Sequence, residues 1–175
     1  MSALQLRRWY AADADDVVAA LEADPELIRQ LGGLEPGGDI AAYIERFLQP
    51  AEGRLHYAVV LDGRVVGDIA ITAIERRHDT GWVSYWLAPA ARGRGAAAAG
   101  LRTVAELALA DGVFRLELGH RMNNSGSCRV ATAAGFLPEG IERAKLRYGA
   151  ERFDVETHAR LATDPTPEGD RLPIV

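Results

Sequence analysis

The stretch Arg92-Gly93-Arg94-Gly95-Ala96-Ala97 holds the densest chemistry in the chain. Glycines at 93 and 95 permit a tight turn with positive φ and let a ligand approach the backbone closely. The alanine-rich run from Ala96 to Ala110 reads as a helix, whose first turn leaves N–H groups without intrahelical partners. Those groups and the helix dipole make a site for a phosphate or pyrophosphate, and Arg92 and Arg94 can add charge-assisted contacts. No Gly-Lys-Ser/Thr follows, so this is not a Walker loop. It also falls too late in the chain for the first strand–helix unit of a dinucleotide-binding domain.

A second pair, Asn124 and Ser127, is spaced by three and shares a helical face with Cys128. An amide there suits ligand carbonyls and a hydroxyl suits a leaving group, but Asn124 serves equally as a helix cap and Ser127 as a small packing residue. His56, His78, His120 and His158 are scattered through the sequence with no cysteine at ligand spacing, so no metal is expected. Cys128 is the sole cysteine and cannot form an internal disulfide. As a nucleophile it would need a lowered pKa and a positioned base, and lone buried cysteines are usually inert.

The elements that must position these residues follow from periodicity. Leu4 to Tyr10 reads as a strand and Asp13 to Leu21 as a helix. Pro25 opens a short helix that Gly32-Gly33 ends, and Asp39 caps a third with apolar positions Ile40, Tyr43, Ile44, Phe47 and Leu48. Tyr57 to Leu61 and Val65 to Ile71 flank Asp62-Gly63 as a hairpin. Trp82 to Leu87 is a strand ended by Pro89, and Phe114 to Leu118 follows the 96–110 helix as another. A helix from Asn123 or Asn124 to Ala134 ends at Gly135, and a last hairpin turns at Gly149-Ala150 between Ile141–Tyr148 and Glu151–Leu161. This order is mixed: an α+β or α/β sheet with helices on its faces. One domain over residues 1–163 is expected. Residues 164–175 carry Pro165, Pro167 and Pro173 and read as a poorly packed surface tail.

With 175 residues, 48% apolar and 26% charged, the chain can build its core without metal or disulfide staples. Its net charge of −5 disfavours general nucleic-acid binding and suits a cationic acceptor, although solubility explains it equally well. No apolar run approaches a membrane span and the first residues lack a secretion signal, so a cytoplasmic address without membrane association is expected.

Taken in order, Arg92-x-x-Gly95-x-Ala97 resembles the Q/R-x-x-G-x-G/A signature of GNAT acyltransferases. Tyr85-Trp86-Leu87-Ala88-Pro89, Asn124-x-x-Ser127 and Ala134-Gly135-Phe136 resemble the RimJ/RimL-type branch of that superfamily, over roughly residues 4 to 162. The resemblance implies a central mixed, splayed sheet of about seven strands with flanking helices. It implies acetyl-CoA as cosubstrate, with Gly93, Arg94, Gly95, Ala96 and Ala97 beside Arg92 around its pyrophosphate. Pantetheine would pair with the edge formed by Trp86, Leu87 and Ala88, and Asn124 would hold its carbonyls. Ser127 would protonate the departing thiolate. Glu75, in Ile71-Thr72-Ala73-Ile74-Glu75, resembles the acidic catalytic residue of RimL-type enzymes, although a surface turn explains it too. Tyr148 and Asp154 match positions near the acceptor, or else are a strand-pair aromatic and a turn carboxylate. Trp9, Tyr43, Phe47 and Trp82 would line an acceptor pocket or simply pack the core.

The implied reaction is acyl transfer to a primary amine, either a protein N-terminal α-amine or a small molecule, by a monomer or homodimer. Succinyl or another acyl group could replace acetyl. A catalytically silent acyl-CoA sensor on the same fold remains the alternative of a different class.

Overall fold

The computed structural model describes residues 4–175. A seven-stranded sheet runs β1 (Leu4–Arg7), β2 (Leu55–Leu61), β3 (Arg64–Glu75), β4 (Thr80–Leu87), β5 (Arg115–Arg121), β7 (Glu151–Leu161), β6 (Leu137–Tyr148) in spatial order. Every pairing is antiparallel except β4–β5. That parallel contact joins only Thr80, Gly81 and Trp82 to Arg115, Leu116 and Glu117. Beyond Trp82 the two strands part, so Val83 to Leu87 is laddered to β3 alone. The expected mixed, splayed sheet is present.

Period-two alternation sends the two sides of the sheet to two cores. On one face Tyr57, Val59, Ile69, Ile71 and Val83 pack against α3 (Ala96–Ala110), α4 (Ser125–Ala133) and Phe136. On the other, Ala58, Val60, Val65 and Trp86 pack against α1 (Ala14–Ala23), the 3₁₀ turn Pro25–Gln30, and α2 (Ile40–Tyr43), which continues as π-helix through Ile44–Leu48. Asp39 caps α2 as its sequence suggests, accepting from the Ala42 N–H at 3.0 Å.

One bulge matters for function. Val60 faces Val65, but Val59 faces Gly67, so Val66 is the extra residue. Its carbonyl accepts the Ala88 N–H at 2.7 Å. At Gly67 a Cβ would stand 2.4 Å from the Trp86 carbonyl, which explains glycine where β3 meets the end of β4.

The C-terminal segment corrects the expectation of a loose tail. Leu172 is buried in the α3 core, Ile174 bridges Leu6, and the Leu6 N–H donates to the Pro173 carbonyl at 2.8 Å. Arg102 on α3 donates to Asp170 O at 2.9 Å, and Thr103 Oγ1 to Leu172 O at 3.0 Å. The three prolines shape this strap but do not detach it, because α3 offers both an apolar groove and polar anchors. Leu172→Ala is therefore expected to cost about 2–4 kcal/mol, read from urea unfolding at neutral pH.

Arg171 and Glu106 fasten the same strap at 2.6 Å. The hydrogen bond from Arg171 holds the Glu106 carboxyl below its usual range. The resulting stabilisation is present above the unfolded-state carboxyl pKa of about 4.3 and fades as pH falls through the lower folded value. Because the pair is about one-third exposed and solvent screens it, Arg171→Ala should lose only a small part of the stability at pH 7. The gap between wild type and variant, followed by urea unfolding, should shrink in acid.

Candidate active site

Two clefts meet at β4. The larger, ≈780 Å³, lies where β4 and β5 part and is floored by Tyr85, Trp86 and Leu87. Gly93, Gly95 and the first turn of α3 close one end, and Asn124, Ser127 and Val130 of α4 form a wall. The second, ≈460 Å³, is lined by Tyr43, Phe47, Trp82, Ser84, His56 and Asp68. Tyr85 and Trp86 line both. Because successive residues point to opposite faces, β4 turns Tyr85 toward α4 and Trp86 toward α2.

The turn before α3 has the geometry its glycines suggested. Gly93 and Gly95 sit at φ 74° and 75°, and Gly95 is the left-handed N-cap. The first ladder bond of α3 is Ala99 N–H to Gly95 O at 3.0 Å, so the amides before it remain available to an anion. Arg92 lines this cleft but is already engaged. It reaches Leu87 O at 2.9 Å and the Asp24 carboxylate at 2.6 Å. Arg94 is exposed and lines neither cleft. Further positive charge comes from Arg121 and Arg129, and from Arg29 in its pair with Glu26, three arginines from separate elements that local sequence patterns do not bring together.

At the start of α4, Asn124 is the helix cap and also faces the large cleft. Its Oδ1 caps the helix by accepting the Ser127 N–H at 3.1 Å, and the residue lines the large cleft. Ser127 lines the same cleft, and its carbonyl accepts the Tyr85 hydroxyl at 3.1 Å. Burial raises the Tyr85 pKa, which keeps that phenol a donor. Trp86 and Leu87 lie along the open edge as expected, whereas Ala88 is buried and its N–H is committed to Val66 O.

Glu75 is not brought to the site. It faces Thr80 at the distal β3–β4 turn, five residues from Tyr85 along the strand, or roughly 16 Å at normal strand rise. Its exposed carboxylate accepts the backbone N–H groups of Arg77 at 2.6 Å and His78 at 3.0 Å, and it lines neither cleft. The turn reading is the one realised. Asp154 likewise lines neither cleft and braces the β6 bulge, accepting the Ala144 N–H at 2.7 Å. Tyr148 sits in the large cleft instead of the second one, with the Arg29 and Arg121 guanidiniums 4.7 and 5.4 Å from its ring centroid.

The polar centre of the second cleft is a pair that the sequence did not advertise. His56 Nδ1 lies 2.9 Å from Asp68 Oδ2, and Asp68 Oδ1 accepts the Trp9 indole N–H at 2.8 Å. A carboxylate partner fixes the proton on Nδ1 and leaves Nε2 as an acceptor. Tyr43, Phe47 and Trp82 do line this cleft, while Trp9 is a core residue that orients Asp68. Burial and the Asp68 charge push the Tyr43 pKa up to about 12, so it faces the cleft as a neutral phenol.

The histidines are also less scattered than their sequence positions imply. His120, Cys128, Glu156 and His158 each direct a ligand-type atom to one point, all within 4.8 Å of one another. Residues far apart in sequence thus form a group that could hold a metal ion, and Cys128 in it is only half-buried.

A family model described as an acetyltransferase (GNAT) domain matches residues 3–137. The probable N-acetyltransferase YjcK of Bacillus subtilis (strain 168) is 30% identical over 127 residues, covering 71% of this chain and 70% of that protein. Among solved structures, the ribosomal-protein-S5-alanine acetyltransferase of Vibrio fischeri superposes with a TM-score of 0.80 at 17% identity, over 95% of this chain and all of the other. Mycobacterium smegmatis RimJ, solved with a CoA-disulfide, gives 0.78 at 23% identity over 91% and 82% of the two chains. Among the described residues no helix is long and apolar enough to cross a membrane.

Proposed function

The chain belongs to the GNAT acetyltransferase family, and from that premise we propose that it transfers acetyl from acetyl-CoA to a primary amine by direct attack within a ternary complex. The observation that carries this reading is the junction of two dissimilar clefts across a single strand. One offers unpaired helix amides, arginines and an unladdered β edge, which together suit a pyrophosphate and a pantetheine arm with its amides. The other offers aromatic walls and a carboxylate-oriented imidazole, which suit an amine that must lose a proton.

His56 takes the role that Glu75 cannot reach. Its Nε2 accepts the proton from the attacking ammonium, directly or through water, while Asp68 stabilises the imidazolium that forms. Ser127 or Tyr85, both in the large cleft, supplies a proton toward the departing thiolate. The Leu87 N–H, on the open side of β4, donates to the thioester oxygen as it gains charge. Neutralising a lysine-type amine at pH 7.4 costs about 4 kcal/mol, but an α-amine costs well under about 1. A modest base such as one imidazole therefore fits an α-amine acceptor best. The Vibrio fischeri structure is named for acetylating a ribosomal-protein alanine, which favours a peptide N-terminus.

The test is thiol release from acetyl-CoA across a panel of peptide α-amines and small primary amines. Release with at least one α-amine, dependent on both reactants, is the expected result. Tight coenzyme binding with no release at high protein concentration would instead identify a sensor.

A further inference from the structure

Behind α4, on the face away from the acceptor cleft, the chain assembles a four-donor cluster that acetyl transfer does not use. His120 comes from β5, Cys128 from α4, and Glu156 and His158 from β7. His120 and Glu156 are paired across the β5–β7 ladder, and His158 is the diagonal neighbour on the same face. Both histidines are buried, while Glu156 is one-quarter exposed and gives the cluster an opening to solvent.

Hydrogen bonding dictates what the cluster's centre must hold. His120 Nδ1 lies 3.1 Å from the Arg121 carbonyl, and His158 Nδ1 lies 3.3 Å from the Phe136 carbonyl. A carbonyl only accepts, so each Nδ1 carries a proton, and in the neutral tautomer that this selects each Nε2 presents a lone pair to the cluster. Those two nitrogens stand 3.1 Å apart, with Glu156 Oε2 at 3.0 Å from one and 3.3 Å from the other. Three lone pairs in a triangle of this size repel unless a cation sits among them. Cys128 Sγ approaches the same oxygen at 3.7 Å and completes a fourth corner.

The spacing selects the cation. A tetrahedral zinc ion with ordinary bond lengths separates its nitrogen and oxygen ligands by about 3.3 Å and sulfur from oxygen by about 3.5 Å. Four of the six edges, at 3.0, 3.1, 3.3 and 3.7 Å, lie near these values, and all four donor atoms fall within 4.8 Å of one another, so a small inward shift of Cys128 closes the tetrahedron. Backbone carbonyls on both Nδ1 atoms are the outer partners that hold metal-bound imidazoles in place. Two imidazoles, a thiolate and a carboxylate match a zinc-type ion, not a hard cation such as magnesium.

We propose that His120, Cys128, Glu156 and His158 form a structural zinc site that pins α4 to β5 and β7. Binding releases the Cys128 thiol proton to solvent as the sulfur becomes a thiolate ligand. All four positions are filled by protein, so the ion has no open coordination for substrate. Its effect on the active site is positional, because α4 also carries Ser127 and its cap Asn124. The proposal stands apart from the acetyl-transfer reading.

The experiment uses the full chain, stripped with a chelator and then titrated with cobalt(II) and zinc. One cobalt per chain is expected, with the visible absorption of a tetrahedral complex and a thiolate charge-transfer band, both erased by stoichiometric zinc. Cys128→Ser, a conservative change at a half-buried position, should abolish the thiolate band and weaken zinc binding at least tenfold. Zinc should raise the melting temperature of wild type more than that of Cys128→Ser. His158→Gln should weaken binding further, but that buried variant is not needed to decide the matter. Failure to bind cobalt, an octahedral spectrum, or an unchanged spectrum in Cys128→Ser would each overturn the site and leave a shared proton as the cation between the imidazoles.

Discussion

His56→Gln is expected to lower turnover by about 10²–10⁴-fold while leaving coenzyme affinity unchanged. Glutamine can still donate a hydrogen bond to Asp68, so the buried carboxylate keeps a partner and the cleft keeps its shape. What disappears is a nitrogen able to accept a proton and hold it as a cation beside Asp68. The partner substitution Asp68→Asn should also slow turnover, since it removes the charge that stabilises the imidazolium and loosens control of the tautomer. It should additionally destabilise the fold, because Asp68 is buried and bonded to Trp9 as well as His56. Single-turnover acetylation with a peptide α-amine, alongside calorimetry with the coenzyme, separates these effects. Wild-type rates in His56→Gln would remove the imidazole from the reaction.

The second large effect is expected at the other end of the site. Gly95→Val should raise the coenzyme dissociation constant by about 10–100-fold, equivalent to about 1.4–2.8 kcal/mol. Gly95 sits at φ 75°, a conformation that a β-branched residue adopts only with strain. A Cβ there meets no neighbour within 4 Å, so steric crowding is not the cause. To relieve the strain the turn must rotate, and the amides opening α3 then no longer converge on one anion. Arg94→Ala should have a much smaller effect, because that exposed side chain lines neither cleft. Calorimetric titration with CoA reads both variants, and unchanged affinity in Gly95→Val would remove the turn from the binding site.

These two sites differ in how far sequence alone could reveal them. The glycine turn before α3 is local: its glycines, its helix and its position after a strand all lie within about twenty residues, so its geometry was legible in the sequence. The 96–110 helix came out with the same limits in the structure. The His56–Asp68 pair depends on register. A regular hairpin from the Asp62-Gly63 turn would set Tyr57 opposite Asp68 and send His56 to the other face of the sheet. The single extra residue at Val66 instead pairs Ala58 with Asp68 and His56 with Ala70, bringing the imidazole and carboxylate to one side. No composition signal announces such a bulge, apart from Gly67 in an otherwise β-branched run. Glu75 shows the converse: its local segment resembled that of the family's acidic residue, but the β3–β4 turn sets its carboxylate on the Arg77 and His78 amides, away from both clefts. The donor cluster was hidden by sequence separation, since His120 and His158 become neighbours only when β7 inserts beside β5.

The short contact between β4 and β5 has a mechanical consequence. With three residue pairs holding the two halves of the sheet edge to edge, their separation beyond Trp82 is set by what spans the gap, not by a continuous ladder. Within the chain, the Tyr85 hydroxyl on the α4 backbone is one such span. The gap therefore behaves as a compliant jaw whose width adjusts around an occupant. An occupant that supplies the missing rungs would stiffen the whole molecule as well as fill a cavity.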